Sequence, residues 1–160
     1  MTFPDAAIPV LAFLVGLIGM EAIAWATHRY LMHGPLWGWH RSHHEPRQGR
    51  FEANDLFGLV FAALAIGCFV VAGLLAWPPL AAAAAGMTAY GFLYLLVHDG
   101  LVHRRFPFIK PGDRGYLRHL AQAHHLHHAV RERDGAVSFG FLVAPDPEHL
   151  ARKLASRKAS

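Results

Sequence analysis

Three long apolar segments constrain the fold of this chain more than any other feature of its sequence. Residues 6–27, 56–77 and 80–97 each have about the 20 apolar positions that a helix needs to cross a bilayer. A helix that is apolar around its whole circumference is either buried in protein or embedded in lipid. The remainder of a 160-residue chain is too short to bury three such helices. The sequence therefore predicts an all-α, integral membrane helical bundle surrounded by lipid.

The connections between these segments predict a single domain. Pro78 and Pro79 cannot continue a helix, so they mark the tight turn between the second and third spans. Asn54 and Asp55 are candidates for the N-cap of the second span. We expect one membrane domain over residues 1–160, in which residues 146–160 form a short cytoplasmic tail.

The composition excludes several classes of site. The single cysteine, Cys68, rules out an internal disulfide, a zinc–thiolate finger and a four-cysteine iron–sulfur cluster. The net charge is +4, but no recognition motif accompanies the basic residues, so we expect no nucleic-acid partner. The sequence also lacks a glycine-rich dinucleotide motif, so a redox enzyme built on this chain would need an external electron donor.

The basic residues predict the orientation of the chain in the membrane. All 15 Lys and Arg residues lie either between the first two apolar segments or after the third. Cytoplasmic loops carry an excess of Lys and Arg, so both basic regions are expected in the cytoplasm and the N-terminus outside.

Histidine is the residue that points to chemistry. The chain has 13 histidines, and all but His149 lie at or beyond the cytoplasmic ends of the predicted spans. Ten of them form two copies of one pattern, a pair followed by a triplet. The first copy is His28, His33, His40, His43 and His44, and the second is His98, His103, His124, His127 and His128.

The spacing of the histidines predicts how they are presented. Positions i, i+3 and i+4 share one face of an α-helix, so the imidazoles of each triplet can converge. The members of a pair are five residues apart and do not share a face of an α-helix. We therefore expect the second member of each pair, His33 or His103, to lie where its helix ends or bends.

Ten imidazoles in this pattern predict two metal ions. Neutral imidazole binds Fe, Zn, Cu and Ni, and ten ligands exceed what one ion can take. The alternative is a surface tract that binds metal loosely. Imidazole ligands need hydrogen-bond partners for their second nitrogens, and the candidate partners are Glu45, Glu52, Asp99 and Asp113. His119 is a further candidate neighbour of the site, whereas His125 points away from its triplet and is expected to be exposed.

Three residues of the apolar segments are further candidate neighbours of the site. Glu21 is an ionisable residue deep in the first span, where it must be paired or functional. It could line the site, hydrogen-bond a helix or serve a proton path. Tyr90 and Tyr94 step by four towards His98, and they could line a substrate slot or pack between helices.

These motifs resemble a known family. The histidine pattern is similar to that of the membrane fatty acid hydroxylase superfamily, which includes sterol desaturase-like enzymes. Within it, the closest resemblance is to the bacterial β-carotene 3-hydroxylases. The segments that carry the resemblance are HRYLMHGPLWGWHRSHHEPRQGRFEANDLF, MTAYGFLYLLVHDGLVHRRFPF, HHLHHAV and VSFGFLVAP. They extend over about residues 19–145.

The resemblance implies a specific activity. It implies a non-haem di-iron monooxygenase of the bacterial inner membrane, with the ten patterned histidines as iron ligands at its cytoplasmic face. Zinc can replace the iron on overexpression. With O2, and with electrons from ferredoxin and its reductase, such an enzyme hydroxylates C3 of the β-ionone rings. β-Carotene then becomes β-cryptoxanthin and zeaxanthin, and ketolated carotenoids lead to astaxanthin.

Two other functions remain open from the sequence. A hydroxylase or desaturase of acyl or sterol lipids would use the same metal site. A membrane protein that binds or transports zinc would also use many histidines. Transport sites usually lie near the bilayer midplane, whereas these histidines gather at one face, which disfavours transport.

Overall fold

The computed structural model of the chain describes residues 3–47, 49–106, 112 and 114–158. The elements, in chain order, are α1 (Phe3–Ala26), π1 (Thr27–Met32), α2 (Trp37–His44), α3 (Asp55–Leu74), α4 (Pro78–Tyr94), π2 (Leu95–Val102), α5 (Tyr116–His128) and α6 (Pro147–Lys158). The described residues contain helices and no strand, so the predicted all-α class is confirmed.

Three helical segments are long and apolar enough to cross a membrane. They cover Ala7–Met32, Asp55–Leu74 and Pro78–Val102. The first and third are longer than the sequence predicts, because each α-helix continues directly into a π-helix. The third begins at Pro78, since proline is tolerated in the first turn of a helix. Large apolar side chains on these segments are exposed, as expected for surfaces that contact lipid.

Helices α1 and α4 run parallel and pack closely. A Cβ atom on Gly16 would overlap the carbonyl of Ala83, and one on Gly86 would overlap the backbone of Phe13 and Leu17. Small residues let the backbones of membrane helices approach one another. This packing brings the ends of the two segments together, so π1 and π2, with the two histidine pairs, lie at the same end of the bundle.

Two hydrophobic clusters connect the membrane helices to the C-terminal part of the chain. The first joins Met20 and Tyr90 to Phe141, which lies in the irregular segment after α5. The second packs α5 against α6 through Ala123 and Leu150. Consequently the segment between α5 and α6 lies against the C-terminal ends of α1 and α4.

Asn54 does not cap α3 in the predicted way. It occupies the N-cap position, but its side chain makes no capping hydrogen bond. Its Oδ1 instead accepts a hydrogen bond from Nδ1 of His40 at 2.7 Å. Asn54 is buried, and a buried imidazole competes successfully for its side chain.

Candidate metal centre

In each histidine pair, the first member lies within a π-helix and the second is its C-cap. The amide of His33 donates to the carbonyl of His28 at 3.0 Å, and that of His103 donates to His98 at 3.0 Å. These bonds join residues five apart, so the turn is wider than in an α-helix and positions i and i+5 come to nearly one face. The prediction that paired histidines do not share a face is therefore wrong. The second member of each pair does end its helix, as expected.

Five buried imidazoles form cluster A, in which the potential ligand atoms all lie within 4.8 Å of one another. The members are His28, His33, His40, His44 and His127. Nε2 of His40 lies 3.1 Å from Nε2 of His28 and 3.2 Å from that of His44. Nε2 of His127 lies 3.2 Å from those of both His33 and His44.

The other five patterned imidazoles form cluster B. The ligand atoms of His43, His98, His103 and His124 all lie within 4.8 Å of one another. The Nε2 atoms of His43 and His98 are 3.0 Å apart, and those of His103 and His124 are 3.1 Å apart. Nε2 of His128 joins them at 2.8 Å from Nε2 of His124. All ten patterned histidines therefore belong to two groups of five.

Each histidine triplet contributes to both clusters. Helix α2 supplies His40 and His44 to cluster A and His43 to cluster B. Helix α5 supplies His127 to cluster A, and His124 and His128 to cluster B. The rings of His44 and His128 are only 4.5 Å apart, so the clusters lie side by side. Two metal ions bound here would be neighbours.

Hydrogen bonds donated by Nδ1 fix the tautomer of four imidazoles in cluster A. The acceptors are the carbonyl oxygens of Phe139 for His28, Arg133 for His33, Val130 for His44 and Val137 for His127, at 2.7–3.0 Å. A carbonyl oxygen only accepts, so each Nδ1 carries the proton and each Nε2 presents a bare lone pair. Nε2 lone pairs about 3.1 Å apart repel one another unless a cation lies between them.

Cluster B has charged partners. Nδ1 of His43 donates to Glu52 at 3.0 Å, and Nδ1 of His98 donates to Asp99 at 2.7 Å. The guanidinium of Arg105 lies 3.0 Å from the carboxylate of Asp99 and 3.8 Å from that of Glu52. Carboxylate partners raise the basicity of imidazoles, so His43 and His98 are more electron-rich than the imidazoles of cluster A that donate to carbonyl oxygens.

The distances between ligand atoms fit ions that take five or six ligands. With metal–nitrogen bonds of about 2.1 Å, ligands at right angles lie about 3.0 Å apart, whereas tetrahedral ligands lie about 3.4 Å apart. The shortest Nε2–Nε2 distances in the two clusters range from 2.8 to 3.2 Å. Five donors also exceed the four of a closed zinc site. The donor set therefore fits a metal with an expanded coordination shell.

The segment that supplies these carbonyls, residues 130–143, acts as a strap across cluster A, and Glu21 anchors it. The Glu21 carboxylate accepts hydrogen bonds from the amides of Phe141, Leu142 and Val143 at 2.9–3.1 Å. Oε2 of Glu21 also accepts a hydrogen bond from the hydroxyl of Tyr90 at 2.7 Å. Of the roles left open for Glu21, hydrogen bonding is the one the structure supports, and its main partner is the strap.

Aromatic rings pack against the clusters from the membrane side. The ring of Tyr94 stacks on that of His98, with centroids 4.5 Å apart. Phe141 stacks on His28 at 5.0 Å and meets Tyr94 edge-on at 4.8 Å. Tyr90 and Tyr94 thus have packing and positioning contacts in this structure.

The remaining candidates lie outside both clusters. His119 donates from Nε2 to the carbonyl of Ala144 at 3.0 Å, and His125 is exposed. Glu45 pairs with Arg41 on the surface at 2.7 Å. Asp113 lies outside the described residues. Of the four acids considered as partners of the ligands, Glu52 and Asp99 contact imidazoles.

Burial keeps the imidazoles outside the membrane spans neutral. It is the main reason that the pKa of His40 falls to about 3, that of His44 to about 4 and that of His103 to about 2. Neighbouring imidazoles lower these pKa values further. Burial also lowers the pKa of His127 well below its ordinary value, with His28 as the next cause. Neutral imidazoles are the form that binds metal.

These pKa shifts predict that the metal-free protein loses stability in mild acid. An exposed imidazole in the unfolded chain has a pKa of about 6.5, so below that pH the unfolded state binds more protons than the folded state. Each strongly shifted histidine then lowers the free energy of unfolding by about 1.4 kcal/mol per pH unit. We expect the melting temperature of the metal-free protein in detergent to fall steadily from pH 7 to pH 5. A constant melting temperature would contradict the buried neutral clusters.

Several functional groups have no signal in the sequence. The strap acts through main-chain carbonyls, which any residue supplies. In the sequence, Asn54 is a candidate helix cap, and nothing distinguishes Arg105 from the other basic residues. The segment VSFGFLVAP contributes to the family resemblance, and that resemblance is the one signal that could have drawn attention to the strap.

Comparisons with known proteins agree with this site. The family model described as fatty acid hydroxylase matches residues 13–145. A beta-carotene hydroxylase of Pantoea ananas is 54% identical over 92% of this chain and 83% of its own length. The beta-carotene hydroxylase of Paracoccus sp. (strain PC1) is 54% identical over 84% of this chain and 83% of its own length.

A plant protein extends the relationship. The chloroplastic beta-carotene 3-hydroxylase 1 of Arabidopsis thaliana is 45% identical over 80% of this chain and 42% of its own length. No solved structure matches the chain. Because the family model covers most of the chain and the bacterial relatives exceed half identity, this chain belongs to the fatty acid hydroxylase family.

Proposed function

We propose that this chain is a β-carotene 3-hydroxylase: a non-haem di-iron monooxygenase that hydroxylates C3 of the β-ionone rings. The products are β-cryptoxanthin and then zeaxanthin, and ketolated substrates lead to astaxanthin. The observation that carries the proposal is the pair of adjacent five-imidazole clusters in a membrane protein. The names of the bacterial relatives support the choice of substrate.

Iron is the metal that best suits this reaction and donor set. Imidazole binds iron well, and five neutral donors leave room for one further ligand in a six-coordinate shell. Two irons in these clusters would supply O2 activation for the insertion of one oxygen atom into a C–H bond. Zinc also binds imidazole, and overexpressed protein is expected to load it, so iron must be supplied when the protein is prepared.

The chain's own residues hold and orient the ligands. Carbonyls of the strap keep the Nε2 atoms of cluster A unprotonated, and Glu52 and Asp99 do the same for two ligands of cluster B. Tyr94 and Phe141 cover the clusters from the membrane side and exclude water there. An apolar C40 substrate dissolves in the bilayer, so it would reach the metal centre sideways from the lipid.

Electrons must come from outside the chain. The sequence has no dinucleotide motif and one cysteine, so we assign the supply of electrons to ferredoxin and its reductase. We assign the protein to the bacterial inner membrane, and the positive-inside pattern of its basic residues supports an orientation with the N-terminus outside. The metal centre then faces the cytoplasm, where a soluble donor can reach it.

Pigment analysis tests the proposal directly. We expect bacteria engineered to accumulate β-carotene to form pigments with one and two added oxygens when they express this chain. His127, a fully buried member of cluster A, provides the control, and H127A is expected to form neither pigment. Chromatography with mass detection identifies cryptoxanthin and zeaxanthin.

One outcome would reject the carotenoid assignment. This is unchanged β-carotene in cells that contain intact, iron-loaded protein in the membrane together with ferredoxin and its reductase. Hydroxylated or desaturated acyl or sterol lipids in those cells would then indicate the lipid-hydroxylase alternative. Zinc uptake without any oxidised product would indicate a zinc-binding or transport protein.

A further inference from the structure

A cavity lies beside cluster A, where His33 lines it, and its surroundings are basic. Its volume is about 680 Å³, within the range of sites that bind small molecules. Three parts of the chain line it: the end of the first span, with Trp25 and Arg29; the segment after α5, with Arg133 and Ser138; and helix α6, with Lys153 and Arg157. We name it the basic cavity.

The charges around the basic cavity favour an anion. Four Lys or Arg side chains line it, and the one acid among the described lining residues is Asp134. Asp134 is mostly exposed and already pairs with Arg133 at 3.3 Å. Arg157 donates to the carbonyl of Gly135 at 2.6 Å, and Arg29 lies over the rings of Trp25 and Phe139, so both side chains are held at the cavity. Basic side chains from three separate parts of the chain favour a phosphate or carboxylate group, which accepts several charged hydrogen bonds at once.

Ser138 independently points to a ligand in this cavity. Its side chain is buried, at 8% exposure, and its hydroxyl has no hydrogen-bond partner among the described residues. Its φ of 59° lies in the left-handed region, which costs free energy for a residue other than glycine. A buried hydroxyl without a partner is rare, and an acceptor oxygen in the cavity would satisfy it.

The position of the cavity identifies the source of the anion. Trp25 and Arg29 belong to the last two turns of the first membrane span, Ala7–Met32. Tryptophan and arginine at the end of a span lie at the depth of lipid headgroups. Val143, another lining residue, is 66% exposed and offers an apolar surface beside the cavity. A lipid can thus place its headgroup in the cavity and its acyl chains along α1.

We propose that the basic cavity binds the phosphate of an anionic phospholipid headgroup. The Lys and Arg side chains hold the phosphate oxygens, and the hydroxyl of Ser138 donates to one of them. Basic pockets on the cytoplasmic side of membrane helices bind lipids in this way.

Lys153 and Arg152 provide a matched pair of variants. The two are neighbours on α6, but Lys153 lines the cavity whereas Arg152 does not and lies 3.7 Å from Glu148. We expect K153Q to weaken the binding of phosphatidylglycerol about fivefold, the effect of one basic residue near an anionic headgroup, and R152Q to leave it unchanged. S138A is a second variant and tests the hydroxyl without removing a charge.

Native mass spectrometry of the iron-loaded protein in detergent measures the binding. Phosphatidylglycerol is titrated against phosphatidylcholine, and then in the presence of inorganic phosphate. Preference for phosphatidylglycerol, reduced by K153Q and S138A and unaffected by millimolar phosphate, supports the proposal. Equal binding of the two lipids, or equal losses in K153Q and R152Q, overturns it. Displacement by inorganic phosphate also overturns it, because the ligand is then the free anion.

Discussion

We expect H43A to lose the metal ion of cluster B and H44A to lose the metal ion of cluster A. The two residues are neighbours on α2, yet Nε2 of His43 contacts Nε2 of His98 in cluster B, whereas Nε2 of His44 contacts those of His40 and His127 in cluster A. We expect the iron content to fall from about two ions per chain to about one in each variant. Formation of hydroxylated carotenoid should fall by at least about 100-fold in both.

Metal analysis of purified, iron-loaded protein checks this result, with pigment analysis beside it. His125 is the matched control, since it is an exposed histidine on α5 next to a ligand, and H125A should keep both ions and full activity. The double variant of His43 and His44 should bind almost no iron. If either single variant kept two ions, the division of the ten histidines into two clusters would be wrong.

The membrane helices follow directly from the sequence, because the physical rule that produces them is simple. A run of apolar residues of sufficient length has few stable places other than a bilayer. The ends of the helices depend on more. The first and third helices continue as π-helices through the histidine pairs, and an assumption of 100° per residue cannot foresee a wider turn. The spacing of the pairs looks irregular on an α-helix and regular on a π-helix.

The ten clustered histidines are predictable from the sequence, whereas their division between two clusters is not. Spacing at i, i+3 and i+4 places His40, His43 and His44 on one side of α2. Which of them joins which cluster depends on how α2 lies against α5 and the ends of the spans. That is a tertiary property, and it divides each triplet between the clusters.

The hydrogen-bond partners of the clustered histidines are also only partly predictable from the sequence. Asp99 is adjacent in sequence to His98, and Glu52 is nine residues from His43, so both were recognisable as candidates. The carbonyl partners in the strap are up to 111 residues away from their histidines. They leave no trace in side-chain chemistry, because the atoms involved belong to the main chain.

Glu21 connects the first span to the strap, and its replacement is expected to have the second large effect. In E21A the amides of Phe141, Leu142 and Val143 lose their acceptor, and the hydroxyl of Tyr90 loses its partner. The carbonyls of Phe139 and Val137, which orient His28 and His127, are then no longer held in place. Loss of such supporting contacts typically costs about 10–100-fold in metal affinity or activity.

The effect of E21A should fall mainly on cluster A, because the strap carbonyls orient the imidazoles of that cluster, whereas the strap contacts cluster B through the ring of Phe141. We therefore expect one iron to dissociate about 10–100-fold more readily while the other is retained, as measured by chelator competition followed by metal analysis. E21Q keeps a carbonyl oxygen for the strap amides and should restore most of the affinity. Y90F keeps the whole carboxylate and should change it less than about tenfold.

These variants separate positioning from general destabilisation of the membrane helices. If E21A weakened both irons equally and E21Q failed to restore either, the carboxylate would be stabilising the bundle as a whole. A loss confined to one ion and restored by the amide would mean that a residue in the first span controls a metal site through main-chain atoms about 120 residues further along the chain.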